Sequence, residues 1–113
     1  MAILGNIDIN TFTKIYEIEL PQEPNQSFDM YLGDDSFKFD IRTYAGNQTR
    51  INIKANDEVI VNYAPVNTAM VNLNYFSDFK KGAFFFWQNE NKIIENPNFE
   101  NFGNGLKLYY GSF

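Results

Sequence analysis

The stretch LPQEPNQSFDMYLGDDSFKFDIRTY, residues 20–44, contains two runs in which apolar and polar side chains alternate. The first run is FDMYL at residues 28–32, and the second is FKFDI at residues 37–41. Because successive side chains of a β-strand point to opposite faces, each run predicts a strand with one apolar and one polar face. The sequence GDDS at residues 33–36 lies between them and predicts a tight hairpin turn.

Strand-like patterns continue on both sides of this stretch. Alternating or apolar segments occur at residues 16–20, 51–54, 58–63, 70–75, 83–88 and 106–110. Turn-forming Asn, Asp and Gly residues separate several of them, at 45–48, 55–57 and 89–92. Successive strands with one buried and one solvent-exposed face are typical of antiparallel sheets. We therefore predict an all-β protein, a small barrel or sandwich of about eight mainly antiparallel strands.

The domain organisation is expected to be simple. A chain of 113 residues has the usual size of one domain. We expect residues 1–13 to form an N-terminal arm or an extra strand, and residues 14–113 to form the β domain. Helix should be scarce, because only residues 93–102 (IIENPNFENF) could hold a helical turn, and Pro97 limits its length.

Composition argues against several functions. The formal net charge is −5, with 14 Asp and Glu against nine Lys and Arg, which disfavours binding to nucleic acid or to an anionic membrane surface. The chain has no His and no Cys, so it lacks the usual general base and the usual nucleophilic pairs. No apolar stretch approaches the roughly 20 residues of a membrane-spanning helix. We expect no catalytic residue, no metal site and no cofactor.

Carboxylates are the remaining candidates for catalysis or metal binding. Asp34 and Asp35 are adjacent in one predicted turn, and Asp57 and Glu58 are adjacent in another. A glycosidase uses two carboxylates, and calcium takes oxygen ligands, so a two-carboxylate or metal-assisted hydrolase is the third-ranked alternative. Adjacent acids in a hairpin point apart, and their spacing does not match a calcium-binding loop. We expect solvated turns here.

Aromatic residues offer a stronger signal. In the run AFFFW at residues 83–87, strand alternation sends Phe84 and Phe86 to one face and Phe85 and Trp87 to the other. One pair should belong to the core, and the other forms either an exposed patch or a second buried layer. Tyr109 and Tyr110 raise the same question near the C-terminus. Because exposed aromatic patches mark interfaces, we predict Phe85, Trp87, Tyr109 and Tyr110 as protein-contact residues.

The N-terminal arm is the other predicted contact. Ile3, Ile7 and Ile9 are spaced so that an extended arm would carry them on one face, with Asp8 on the other. Such a segment could add a strand to the exposed sheet edge of a neighbouring subunit.

The run IYEIELPQEPNQSFDMYLGDDSFKFDIRTY resembles the start of a family of small phage baseplate plug proteins, first recognised in a cyanophage tail. The likeness continues in INI at residues 51–53, in EVI at residues 58–60, and in FGxGLxLYY at residues 102–110. It covers residues 15–110. Family members often have a tryptophan near Tyr44, which this sequence lacks, and the arm lies outside the pattern.

The resemblance implies a non-enzymatic structural protein of the virion, in the baseplate at the tail tip, made in the host cytoplasm. It implies contacts with other tail proteins, namely the hub, the spike and the tape measure. It also implies assembly with three-fold or six-fold symmetry, of which we expect a three-fold homo-oligomer. The second-ranked function is a carbohydrate-binding β-sandwich module, which would stack sugar rings on exposed Trp87 and on tyrosines.

Overall fold

Seven β-strands form the framework of the described part of the chain. The computed structural model describes residues 7–68, 70–88 and 94–113. Ile3 and the predicted turn at 89–92 lie outside these residues. The strands are β1 (Lys14–Ile18), β2 (Gln26–Leu32), β3 (Asp35–Tyr44), β4 (Gln48–Ala55), β5 (Glu58–Pro65), β6 (Gly82–Gln88) and β7 (Leu106–Ser112).

Two antiparallel sheets are built from these strands. The first has three strands in the order β1-β7-β6, and the second has four in the order β2-β3-β4-β5. They share one hydrophobic core, and the described residues do not close into a barrel. The predicted all-β class is therefore confirmed, and of the two architectures that the sequence left open the protein adopts the sandwich.

The four-stranded sheet is a succession of hairpins with short turns. Gly33, with φ 64°, opens the two-residue turn between β2 and β3, and Gly46, with φ 78°, lies between β3 and β4. Asn56 and Asp57 connect β4 to β5, and both have positive φ, 49° and 70°. This is the backbone geometry of a type I′ turn, which matches the twist of the flanking strands. The predicted hairpins at these three places are confirmed.

The predicted strand at residues 70–75 is wrong. This segment forms turns: the Tyr75 N–H donates to the Asn72 carbonyl at 3.2 Å, and the Ser77 N–H donates to that of Asn74 at 3.1 Å. The Asn72 side chain also accepts the N–H of Asn74 at 3.0 Å. Asparagine side chains compete with a β-ladder in this way because they offer the backbone local hydrogen-bond partners.

The core lies between the sheets and is rich in aromatic rings. Phe37 and Phe39 of β3 meet Phe84 of β6 edge to face, with ring centroids 5.1 and 5.7 Å apart. Aromatic pairs prefer this geometry because the positive ring edge meets the negative face. Other fully buried core residues are Ile41, Ile51, Ile53, Phe86, Phe102, Leu106 and Leu108.

Helical structure is limited to two short 3₁₀ turns in the described residues, Ile9–Thr11 and Phe99–Asn101. The second lies within residues 93–102, where one helical turn was predicted. None of the described helices is long and apolar enough to cross a membrane. The division into an arm at 1–13 and a domain at 14–113 stays a prediction.

Candidate protein interface

The outer face of the three-stranded sheet carries a row of aromatic rings. Strand alternation turns Phe84 and Phe86 into the core, so Phe85 and Trp87 project from the opposite side of β6. Tyr109 of β7 is paired with Phe85 and projects with them. The ring centroids of Phe85 and Tyr109, and those of Trp87 and Tyr109, are 5.7 Å apart.

Phe12 covers one end of this row. Its ring lies parallel to that of Phe85, with centroids 5.7 Å apart and planes within 3°, and it also contacts Phe113 at 5.3 Å. The Thr13 N–H donates to the Ser112 carbonyl at 2.8 Å, which holds the segment against β7. As a result Phe85 is fully buried.

Gly111 makes this stacking possible. A Cβ atom at Gly111 would lie 2.5 Å from the ring of Phe12, closer than any real contact of a Cβ atom. Glycine is therefore needed on β7 for close approach of the Phe12 ring to the sheet.

The other end of the row is open. Trp87 and Tyr109 are partly buried there. Ile15 of β1, which is 42% exposed, lies on the same side of the sheet but opposite Gly111, near the Phe12 end. Glu17 and Lys107 form an ion pair at 3.3 Å beside Tyr109. Burial and then the Glu17 charge raise the pKa of Tyr109, so its hydroxyl stays neutral at neutral pH. We call Phe12, Ile15, Trp87, Tyr109 and Phe113 the aromatic face.

Of the predicted contact residues on the strands, the structure brings Phe85, Trp87 and Tyr109 together on one side. Tyr110 lies on the opposite side of β7, in the core, with its ring centroid 4.6 Å from that of Phe84. Burial raises the pKa of Tyr110 to about 12. Phe85 and Tyr110 are thus buried within the chain itself, and only Trp87 and Tyr109 reach the surface.

The arm does not continue as a strand through Ile9. The Ile7 N–H donates to the Met70 carbonyl at 3.1 Å, and Ile9 begins the first 3₁₀ turn, so these residues do not share a strand face. Asp8 caps this turn by accepting the Asn10 N–H at 3.0 Å. An Asp before a short helical turn is a common N-cap signal, which could have revealed this turn in the sequence.

Sequence reasoning also missed three members of the aromatic face, namely Phe12, Ile15 and Phe113. Of these three, only Ile15 could have been found from the sequence, because it lies on the opposite face of β1 from the apolar residues Tyr16 and Ile18. Phe12 and Phe113 lie outside the strands, where no period-two pattern assigns a face.

The carboxylates considered for chemistry are dispersed. Asp35 is buried; it accepts hydrogen bonds from Asn56 Nδ2 at 2.9 Å and Lys81 Nζ at 3.0 Å. These two partners, Asn56 first, hold the pKa of Asp35 below its ordinary value. Asp57 is exposed and lies 3.7 Å from Lys38 Nζ. Across residues 7–68, 70–88 and 94–113, no group of three or more acidic, His or Cys residues could hold a metal ion.

Asp35 therefore departs from the expected solvated turn. Asn56 lies in the turn between β4 and β5, and Lys81 precedes β6. The carboxylate of Asp35 thus joins three segments of the chain, which is a structural role.

The sequence was also compared with known protein families and with curated proteins. Residues 15–112 match the family described as the cyanophage baseplate Pam3 plug gp18, and no curated protein matches the chain. The match runs from β1 to the end of β7, which is nearly all of the 113 residues. The resemblance seen in the sequence is confirmed. The chain belongs to the family of the cyanophage baseplate plug, whose place is the phage baseplate.

Proposed function

We propose that this protein is a non-enzymatic structural component of the phage baseplate and that it binds neighbouring tail proteins through the aromatic face. The observation that carries this proposal is the juxtaposition of Trp87 and Tyr109 at the open end of the ring row, with their ring centroids 5.7 Å apart. Aromatic side chains are enriched at the centres of protein interfaces, where their large apolar area is buried.

The hub, the spike and the tape measure are the proposed partners, and a three-fold homo-oligomer is the proposed assembly. Family membership supports this choice, because a plug in a baseplate is surrounded by other tail proteins. The protein would be made in the host cytoplasm and would function in the virion. In the arm, Ile3 and Ile9 remain proposed contact residues, and Ile9 is 36% exposed.

A carbohydrate-binding function is the second candidate. Trp87 and Tyr109 could stack on a sugar ring, and the Glu17–Lys107 pair lies beside them. Sugar recognition also needs polar groups that converge on the stacked ring. On this face Glu17 and Lys107 already form an ion pair with each other. The face therefore offers mainly apolar surface for binding, which favours a protein partner over a sugar.

Co-purification with tail proteins tests the proposal. The tagged chain would be co-expressed separately with the hub, spike and tape-measure proteins of its own phage. We expect at least one of them to remain bound through size-exclusion chromatography. Trp87→Ala combined with Tyr109→Ala should abolish that binding, because it removes both exposed rings.

Tyr31→Ala is the matched control. Tyr31 is 78% exposed and belongs to β2 of the other sheet, so its loss should leave binding unchanged. Retention of the partner by the Trp87/Tyr109 variant, or failure of all three proteins to bind, would contradict the proposal. A hit on a glycan array that is lost in Trp87→Ala would favour the second candidate.

A further inference from the structure

The outer face of the four-stranded sheet holds like charges directly opposite one another. The register of β3 and β4 pairs Lys38 with Lys54, and Arg42 with Arg50. These residues alternate with the core positions, so all four side chains project to the same, solvent-facing side. We call Lys38, Arg42, Arg50 and Lys54 the cationic face.

Composition does not explain this arrangement. Like charges directly opposite on adjacent strands are destabilising. The chain has only nine Lys and Arg against 14 Asp and Glu, yet four of the nine, including both arginines, share this face. A register that brings them together therefore has a cost in the isolated chain.

Three acids lie beside the four charges of the cationic face and neutralise them only in part: Asp29, directly opposite Lys38 in the register of β2 and β3, Asp40 and Asp57. Asp40 Oδ1 lies 3.0 Å from Arg42 Nε, but the Lys38–Asp57 pair is longer, at 3.7 Å, and its side chains are 55% and 86% exposed. Exposed pairs of this kind contribute little in water. Lys54 has no ion pair among the residues that the structure describes. The face can therefore accept further negative charge.

An aromatic residue in an unusual backbone conformation borders the cationic face. Tyr63 has φ 57°, and its N–H donates to the Asn52 side chain at 2.8 Å within an irregular part of the β4–β5 pairing. Arg50 lies over its ring, 5.2 Å from the centroid. β-Bulges commonly re-aim side chains beside functional surfaces. Here one presents a tyrosine, 47% exposed, next to the paired cations.

The chain itself supplies a complementary surface. Glu17 and Glu19 border a groove of about 530 Å³ where β1 and β7 diverge, and Glu23 follows in the same loop. Leu20 and Pro21 also line this groove. Glu17 is already paired with Lys107, so we call Glu19 and Glu23 the acidic rim.

We propose that the cationic face of one copy binds the acidic rim of a second copy. The two surfaces are different parts of the chain, so the contact is head-to-tail and leaves one free surface on each copy, the acidic rim of the first and the cationic face of the second. Such contacts close into rings when the rotation between copies allows it. This interface is separate from the aromatic face, so each can fail without the other.

Sedimentation velocity of single-charge variants tests the pairing. The wild type should self-associate at low salt and dissociate as salt rises, because screening weakens contacts between exposed charges. Lys54→Glu should weaken association roughly tenfold or more. Lys80→Glu is the matched control: it changes the net charge equally, lies outside the cationic face, and should associate like the wild type.

Complementary reversals then test the identity of the two surfaces. Lys38→Glu/Lys54→Glu and Glu19→Lys/Glu23→Lys should each fail to self-associate, because each places like charges across the contact. An equimolar mixture should associate again, since every contact in it again joins opposite charges. Circular dichroism establishes that each variant is folded.

Three outcomes would overturn the proposal. They are a wild type that stays monomeric at about 100 µM in low salt, equal weakening by Lys54→Glu and Lys80→Glu, and no recovery in the mixture. Binding to tail proteins through Trp87 and Tyr109 could persist in any of these cases. The proposed binding to tail proteins would then stand while the self-contact is rejected, although a monomeric wild type would also count against the proposed three-fold homo-oligomer.

Discussion

The Asn74 side chain hydrogen-bonds to the backbone of the edge strand β6 at Phe84. Its Oδ1 accepts the Phe84 N–H at 2.9 Å, and its Nδ2 donates to the Gly82 carbonyl at 3.0 Å. Leu73 adds a strand-like bond, because its N–H donates to the Phe84 carbonyl at 2.8 Å. An asparagine that is only 1% exposed thus takes the place of a neighbouring strand along this edge.

Replacing Asn74 should therefore destabilise the whole fold. Asn74→Ala leaves a buried N–H and a buried carbonyl without partners, and we expect a loss of about 2–4 kcal/mol in the free energy of unfolding. Urea denaturation measures it. Asn62→Ala is the control, since Asn62 is an exposed residue of β5, and its change should be within about 0.5 kcal/mol. Similar costs for the two variants would contradict the role of Asn74.

Gly111→Ala should disturb the stacking of Phe12 on Phe85. The added methyl would lie 2.5 Å from the Phe12 ring, and overpacking of this kind costs about 1–3 kcal/mol. A double-mutant cycle isolates the effect. In a Phe12→Ala background the same substitution should cost much less, because the clashing ring is gone. An equal cost in both backgrounds would show that the contact is not the cause.

Asp35 should make stability depend on pH in the acid range. Asn56 and Lys81 lower the pKa of Asp35 in the folded chain, so its ionised carboxylate stabilises the folded state. This stabilisation is complete above the pKa of the unfolded state and is lost as the pH falls through the folded-state pKa. Between about pH 5 and 3, the wild type should lose more stability than Asp35→Asn. Thermal denaturation at a series of pH values measures this difference. Parallel curves for the two proteins would contradict it.

Lys54→Glu should stabilise the isolated chain while weakening its self-contact. It converts the like-charged pair with Lys38 into an opposite-charged pair, which is worth about 0.2–1 kcal/mol across two strands. Denaturation in dilute solution should show the gain at low salt and its loss at high salt. If Lys54→Glu stabilises the fold but weakens self-association, then Lys54 serves binding rather than folding. A loss of stability would argue against cross-strand repulsion.

Local pattern was sufficient for most of the fold. In β3 and β4 the apolar residues alternate without interruption, and Gly33, Gly46 and the Asn56–Asp57 pair provide the positive φ that their turns need. Each of these signals lies within a few residues of the structure that it predicts. The segment at 70–75 failed because its apolar residues resemble a strand, whereas its asparagines bond locally.

The candidate site depended on contacts between distant segments. Alternation placed Phe85 and Trp87 on one face by sequence alone. Tyr109 and Tyr110 were both predicted as contacts, and the structure placed Tyr110 in the core. Whether Phe85 is exposed depended on Phe12, which is 73 positions away and carries no periodic signal. The like-charged pairs of the cationic face likewise required the register of β3 and β4.

The β class, the hairpins of the four-stranded sheet and the family follow from the order of the amino acids, because side-chain alternation and turn conformation are properties of neighbouring residues. Which faces are covered depends on how the strands and loops pack together. β1 pairs with β7 across most of the chain, and the Phe12 ring, the Asn74 side chain and the Asp35 carboxylate act on segments that they meet only after folding. Burial is a property of the assembled chain, so local patterns cannot specify it.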